Sequence, residues 1–584
     1  MIKRVSFGCF CLLQVLLLPA QTVYINEISV ANISGQFDPN YDFRGWIELY
    51  NADSIDVEIR DLYFSDDPTN VMKYRLAAKR TLPAGAYALV WLNDEIKNDR
   101  GYYLDADADG GFLSLADKSG NLLDAIEYPK QYSNVSFGRI TDAAEDFDYF
   151  VQATPAASNN EAPIAADFVA EPQFSHPGGF YQGALSVGIT CATPAARIFY
   201  TLDGTEPGLD DAEYTGTEIS IDSSAVLRAR AYAEGMPEGR IATATYMINE
   251  RKPDLPVVFL TVDTTYLYND TIGIYCVGTN GSKLTSHGEV ANYNQDWTRP
   301  AYVEYLDAGK VVQIAQTAGI AIHGNDSRKY DMKAIEVKAS KRFGTSRFDF
   351  SLFDSKPGRR FKSFILRSGG QQGLPGFIIR DAYNQSLVDI IDLDYQAYRY
   401  CVLYVNASYW GIRDMREKSS KDYIYSHYNY EKEEFDLIDR MSASHGNTAR
   451  VDSLQAFVQS QDFSDDSLYS VLAGMIDIDN FLSYLAAEVF VVNTDWPSNN
   501  NKLFSHNVEQ ARFRWILQDL DKGLSYSSRN VLQYIKDVAL DRLQFSSVNE
   551  LLKNDSFKED YITRMSVFAG SVYREDRMLE RIDD

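Results

Sequence analysis

A chain of 584 residues is too long for one hydrophobic core and divides into several domains. Hydrophobic residues at 45% and aromatics at 13% exclude wholesale disorder. With 56 basic against 82 acidic residues the formal charge is −26, and no basic stripe runs along the sequence, which argues against nucleic acid or an anionic membrane as main partner.

Residues 1–20 carry Lys3 and Arg4, an apolar run from Val5 to Leu18, then Pro19-Ala20. This predicts a secretory signal peptide and a secreted or cell-surface protein. The run is shorter than the ~20 residues of a membrane span and is broken by Gln14, so no transmembrane anchor is expected. Beyond it remain Cys191, Cys276 and Cys401. They are too widely spaced for a metal cluster and read as small apolar residues, with one bridge at most.

Residues 22–160 alternate short strands, such as Trp46-Ile47-Glu48-Leu49-Tyr50 and Tyr87 to Leu92, with Asp, Asn and Gly turns, the pattern of a β-sandwich. Asp105-Ala106-Asp107-Ala108-Asp109-Gly110 has the acids and glycine that open an EF-hand loop. The closing glutamate falls on Ala116, so the stretch reads as a solvated acidic turn. After the linker Glu161–Ala166, residues 168–249 predict a second small sandwich, with Val226–Tyr232 as a strand with one polar face. Asp203-Gly204 is most simply a tight turn there, and His176 is structural.

In residues 253–584 the chain predicts helices, including Asp479–Val489 and a helical tail from Val548 that ends without a clear stop signal. Lys502–Ser505 and Arg512–Leu517 predict a hairpin around Asn507–Gln510. An antiparallel hairpin returns to where it began. Asp495 and Asn500, just before it, therefore fall beside Asp519 and Asp521, just after it. Two acids and an amide in such proximity suit a magnesium ion, which takes oxygen ligands from one or two carboxylates plus nucleotide phosphates. In the kinase division of labour Asp495 orients the acceptor hydroxyl, while Asn500 and Asp521, or Asp519, hold the metal. The same residues also read as ordinary Asn- and Asp-rich turns.

Several blocks in order give a more specific signal: Gly319–Arg328, Lys333-Ala334-Ile335-Glu336-Val337, Phe364–Arg367, Ile379-Arg380-Asp381, Val405–Ile412 with Glu417 beyond, Asp495–Asn500 and Trp515–Asp521. Together they resemble the CotH (spore coat protein H) kinase-like family. That resemblance implies an atypical protein-kinase-like fold that uses ATP and Mg²⁺ to phosphorylate protein substrates. It implies Lys333 on the phosphates as a catalytic lysine, with Asp381 in the place of the kinase helix glutamate. It implies Gly324, Asn325 and Ser327 as a backbone cradle, and Glu417 on the adenine side. The His-Arg-Asp and Gly-x-Gly-x-x-Gly patterns of ordinary protein kinases are missing, and Lys522 puts a cation beside the presumed metal. Ile25–Ile28, the Trp46 block, Ser136–Arg139 and Ala153–Asn159 resemble a lamin-tail domain. Phe174–Tyr181 and Ile198–Pro207 resemble the sandwich at the ends of chitobiases and hexosaminidases.

The fold class expected is multidomain: two all-β immunoglobulin-like sandwiches followed by an α+β atypical kinase-like domain. The function expected is a secreted protein kinase. The alternative is a catalytically inactive kinase-like protein for extracellular binding, whose sandwiches attach to a cell surface or carbohydrate.

Overall fold

Two five-stranded sheets face one another at the start of the chain. One orders Phe147–Tyr149, Phe137–Arg139, Val23–Ser29, Trp46–Asn51 and Tyr87–Trp91; the other orders Leu122–Tyr128, Gly111–Ala116, Tyr63–Ser65, Tyr74–Leu76 and Ile96–Lys97. The computed structural model describes residues 23–583, leaving out 77–79, 94, 99–101, 285–287, 358–359, 370–377, 498, 525–529, 532 and 534–547. The expected signal peptide lies outside the described residues. Ile25, Leu49, Phe64 and Leu115 meet in the core between the sheets. The Trp46–Asn51 strand is buried on both faces because the segment around Thr154 covers its polar side. There Glu48 accepts the N–H of Ala156 at 2.7 Å and Glu27 accepts the Thr154 hydroxyl at 2.9 Å.

The second sandwich centres on a five-stranded sheet ordered Gly179–Tyr181, Ala242–Ile248, Ala225–Tyr232, Arg197–Thr201 and Ala212–Glu213. It is followed by an α+β region of two lobes. The first lobe is a closed seven-stranded barrel ordered Val257–Thr261, Arg299–Leu306, Val312–His323, Ala334–Lys338, Ser363–Arg367, Ser408–Glu417 and Tyr398–Val405. Alternation fills its core with Val258, Val303, Ile320, Ile335, Val337 and Leu366. The second lobe packs helices, including Ile478–Phe490 and Asp555–Gly570, against a five-stranded sheet. The predicted hairpin forms within that sheet, Lys502–His506 against Arg514–Leu517, with Leu503 opposite Trp515.

The first sandwich touches both lobes. Buried Arg299 of the barrel donates to the Tyr41 carbonyl at 2.8 Å and pairs with Asp42 at 3.2 Å. Lys341 pairs with Asp107 and Asp109, so the acidic turn that resembles a calcium loop serves as a clasp between domains. On the second lobe, the Tyr102 hydroxyl donates to the Phe435 carbonyl at 3.0 Å. The three described cysteines are free thiols; Cys401 is buried, whereas Cys191 and Cys276 are half-buried.

Glu304 of the barrel faces the second sandwich, where one carboxylate oxygen accepts the Thr245 N–H at 3.0 Å. Burial pushes its carboxyl up to about 7, against the bonds from Thr245 that favour the charged form. A folded-state pKa above the unfolded value means that the folded state holds a proton the unfolded chain releases. Stability is therefore lost as pH rises from about 4.5 to about 7. Glu304→Gln keeps an acceptor without the charge. Its advantage over the wild type should grow by about 3 kcal/mol between pH 4.5 and 8 in thermal melts, whereas parallel pH profiles would refute this.

Candidate active site

Between the lobes lies a cleft of about 840 Å³, within the ~300–1,000 Å³ typical of ligand sites. Its barrel wall follows from strand alternation. Ile335 and Val337 point into the core, so Ala334, Glu336 and Lys338 point out into the cleft, joined by Ile365, Arg367, Arg416 and Lys418. Gly324 to Arg328 form the rim. Gly324 has φ 103°, and a Cβ there would lie 2.2 Å from the Ser327 hydroxyl oxygen, so the turn needs glycine. Asp495, Asn499, Asn500, Lys502 and Asp519 line the opposite wall.

The helix Ile478–Phe490 and the hairpin position those residues. Glu488, fully buried near the helix end, accepts the side-chain amide of Asn493 at 2.9 Å, and Asn493 in turn accepts the Asp495 N–H at 3.2 Å. Burial pushes the Glu488 carboxyl well above the usual range. Trp496 anchors the next turn by donating to the Tyr484 hydroxyl at 2.7 Å. Asn500 donates its side-chain amide to the Asp519 carbonyl at 3.2 Å, which ties the start of the hairpin to its end. Both residues have left-handed backbone, φ 58° and 55°, a conformation asparagine and aspartate tolerate better than most.

The cation facing these acids is Arg367. One of its guanidinium nitrogens lies 2.8 Å from Asp519 and 3.6 Å from Asp521, and the other bonds Asp381. Asp381 also pairs at 2.9 Å with Arg416, which is fully buried, and accepts the Leu520 N–H at 2.8 Å. Although burial pushes Asp381 up, Arg416 and Arg367 hold it below the usual carboxylate range.

Two expected residues are placed elsewhere. Lys333 shares the alternation of Ile335 and Val337, so it turns to the core side instead of the cleft. It is 5% exposed, donates to the Arg328 and Tyr330 carbonyls at 2.7 and 2.8 Å, and sits 4.0 Å from the centre of the Tyr293 ring. Asp381 therefore pairs with Arg367 and Arg416, not with Lys333. Glu417 is buried with its carboxylate 2.7 Å from the His427 ring, while its backbone belongs to the strand linking the lobes. Gly324, Asn325, Ser327, Asp495, Asn500 and Asp519 come together around the cleft, and Asp521 sits behind Asp519. Arg367, Arg416, Lys418 and Lys502 carry no role in the sequence reading. The apolar alternation of Phe364 and Leu366 was the available signal that Arg367 faces outward.

Burial and the neighbouring Asp519 push the Asp521 carboxyl up to about 7, with Arg367 opposing. Burial raises Asp495 as well, against the pull of Lys522. His323 is neutral, driven far down by burial and then by Lys418, Arg367 and Arg328. Among the described residues no group of three or more His, Cys, Asp or Glu could hold a metal by itself. The donor set still fits magnesium bound through a nucleotide, because Asp519 and Asp521 already converge on a single cationic nitrogen of Arg367.

Residues 320–584 match the model of the CotH kinase protein family. The two-lobed region is thus similar to the CotH kinase family over those residues. Residues 176–243 match the chitobiase/beta-hexosaminidase C-terminal domain and residues 19–130 the lamin tail domain. No curated protein matches the chain. Among solved structures, a crystal structure of Drosophila N-cadherin EC1-3 covers 45% of this chain and 88% of its own at 8% identity, with a TM-score of 0.10 that carries no argument. The CotH domain thus supplies the cleft, while the lamin-tail domain braces it from outside.

Removing Arg416 strands buried Asp414 and leaves Asp381 with Arg367 as its one cation, whereas removing Lys333 leaves only carbonyls short of a donor. Arg416→Met should cost about 3–5 kcal/mol of stability, against about 1–3 kcal/mol for Lys333→Met. Urea unfolding followed by tryptophan fluorescence measures both; the reverse order would contradict the pairing of buried Arg416 with Asp381 and Asp414.

Proposed function

We propose that this chain is a secreted CotH-type protein kinase that transfers the γ-phosphate of ATP to a protein hydroxyl with Mg²⁺. The observation that carries this reading is the convergence of Asp495, Asn500 and Asp519, with Asp521 behind, on one cleft opposite a glycine turn and several cations. The chain's net charge of −26 would repel a nucleotide almost anywhere else. Arg367, Lys418 and Lys502 bring cations to the cleft, where they pair with Asp519, Glu336 and Asp439 at 2.8, 2.6 and 3.5 Å.

In this reading Asp495 orients the acceptor hydroxyl and takes its proton as the new O–P bond forms and the bond to ADP breaks. Its raised basicity suits that task. Asn500 and Asp521, supported by Asp519, hold the magnesium, which when bound neutralises charge on the phosphates. The backbone from Gly324 to Ser327 covers the phosphates, and Arg367 takes the charge-offsetting part expected of Lys333. Secretion rests on the amino-terminal signal.

One observation favours a second reading, that of an inactive kinase-like binding protein. Arg367 already pairs with Asp519 and Asp521, so an internal cation satisfies the acids without a metal. Purified protein incubated with labelled ATP and Mg²⁺ decides between them. The kinase reading expects label on the protein or an added substrate, lost by about a hundredfold or more in Asp495→Ala and Asp521→Asn. Lys333→Met should retain transfer within about threefold, since its ammonium is bound to backbone carbonyls. Unlabelled protein with a melting temperature unmoved by Mg²⁺-ATP supports the inactive reading.

A further inference from the structure

Past Lys338, Asp296 and Thr298 the cleft opens into a second cavity of about 520 Å³. Its walls come from the lamin-tail domain, the barrel and the second lobe together. Four lysines from separate stretches face it: Lys338, Lys362, Lys421 and Lys432. Five acids line the space as well, but Asp42 pairs with Arg299, Asp107 with Lys341 and Asp296 with Arg328, which leaves Asp105 and Asp422; the closest pairing of the four lysines, Lys362 with Asp422, is a loose 3.7 Å. Lys341 and Arg44, also on the wall, are already engaged by Asp107 and Asp38 at 2.7 and 2.9 Å.

Charge in this space is out of balance. Lys421 is pushed below its ordinary value by burial and then by repulsion from Lys338. Asp105 is held low despite burial, by a bond from Asn93 and the fields of Lys421, Lys432 and Lys338. Half-buried lysines in excess over carboxylates favour an incoming anion. Lysine presents a point charge on a flexible stem, not a planar fork, so it accepts carboxylate and phosphate alike. The volume suits a few side chains, and the shared wall of Lys338, Asp296 and Thr298 makes the cavity continuous with the cleft. These features fit a peptide that continues into the cleft.

We propose that this cavity docks an acidic segment of the protein acceptor, through glutamate, aspartate or phosphoserine side chains, and that the lamin-tail domain thereby takes part in substrate selection. The inference rests on the kinase reading of the adjoining cleft. Fluorescence anisotropy on the full-length protein without nucleotide tests it, using a Glu-rich serine peptide, its phosphoserine form and a Lys-rich control. Both acidic peptides should bind and the basic one should not; the ratio of the two affinities tells whether carboxylate or phosphate is the preferred anion. A Lys421→Glu/Lys432→Glu double variant should weaken binding at least about tenfold, while Lys558→Glu, outside both cavities, should leave it unchanged. Lys421→Gln relieves lysine crowding, so it should weaken binding without lowering the melting temperature, which separates docking from folding. Equal binding of acidic and basic peptides, or acidic binding unaffected by the double variant, overturns the inference even if phosphate transfer is observed. Tighter binding of a uronic-acid glycan than of either acidic peptide also overturns it. Specific acidic-peptide binding in a protein that never transfers phosphate upholds the docking site and refutes the kinase reading alone.

Discussion

The cleft depends on one buried charge, Asp381. It lies in the first turn of the helix Ile378–Ser386, is held by Arg367 and Arg416 from two barrel strands, and accepts the N–H of Leu520 from the second lobe. A carboxylate this deep requires opposite charge close by, because desolvation costs several kcal/mol per ion. Satisfying it fixes the spacing between the lobes and sets Asp519 and Asp521 on either side of Leu520. The residues read as catalytic are thus placed by a network that need not touch substrate.

The same economy of charge explains the accessory domain. The acidic turn at Asp107 and Asp109 clasps Lys341, and Arg299 reaches across to Asp42. Because the lamin-tail domain also meets Phe435 in the second lobe, it spans the two halves on one side of the cleft. Surface pairs of this kind contribute little singly. Buried Arg299 is different, since it donates to Tyr41 and Asp42 of the neighbouring domain as well as to Ile272 of its own, and so ties the orientation of that domain to the integrity of the barrel.

Much of this was legible along the chain. Alternation and turn residues predict the hairpin after Asn500, and the hairpin alone brings the residues before it beside those after it. The ordered blocks carry the resemblance to the CotH kinase family, and strand spacing marks the sandwiches. Where Lys333 sits is a matter of pleat. Ile335 and Val337 sit in the core, and a residue two positions before Ile335 shares their side, so the alternation that identifies the strand also turns Lys333 away from the cleft. Glu417 is a local matter, since its carboxylate meets His427 only ten positions further along the chain.

By itself the sequence determined the modular order, the class of each module and the acid-bearing loop around the hairpin, since these follow from short-range periodicity and local turn chemistry. Which cation answers the acids, and where positive charge collects on an acidic chain, was decided by the tertiary structure alone. Lys338, Lys362, Lys421 and Lys432 form no basic stripe in sequence, and Arg367 meets Asp519 across 152 positions of chain. Coulomb interactions depend on distance in space and on burial, and neither is set until the strands have closed into a barrel and the lobes have met.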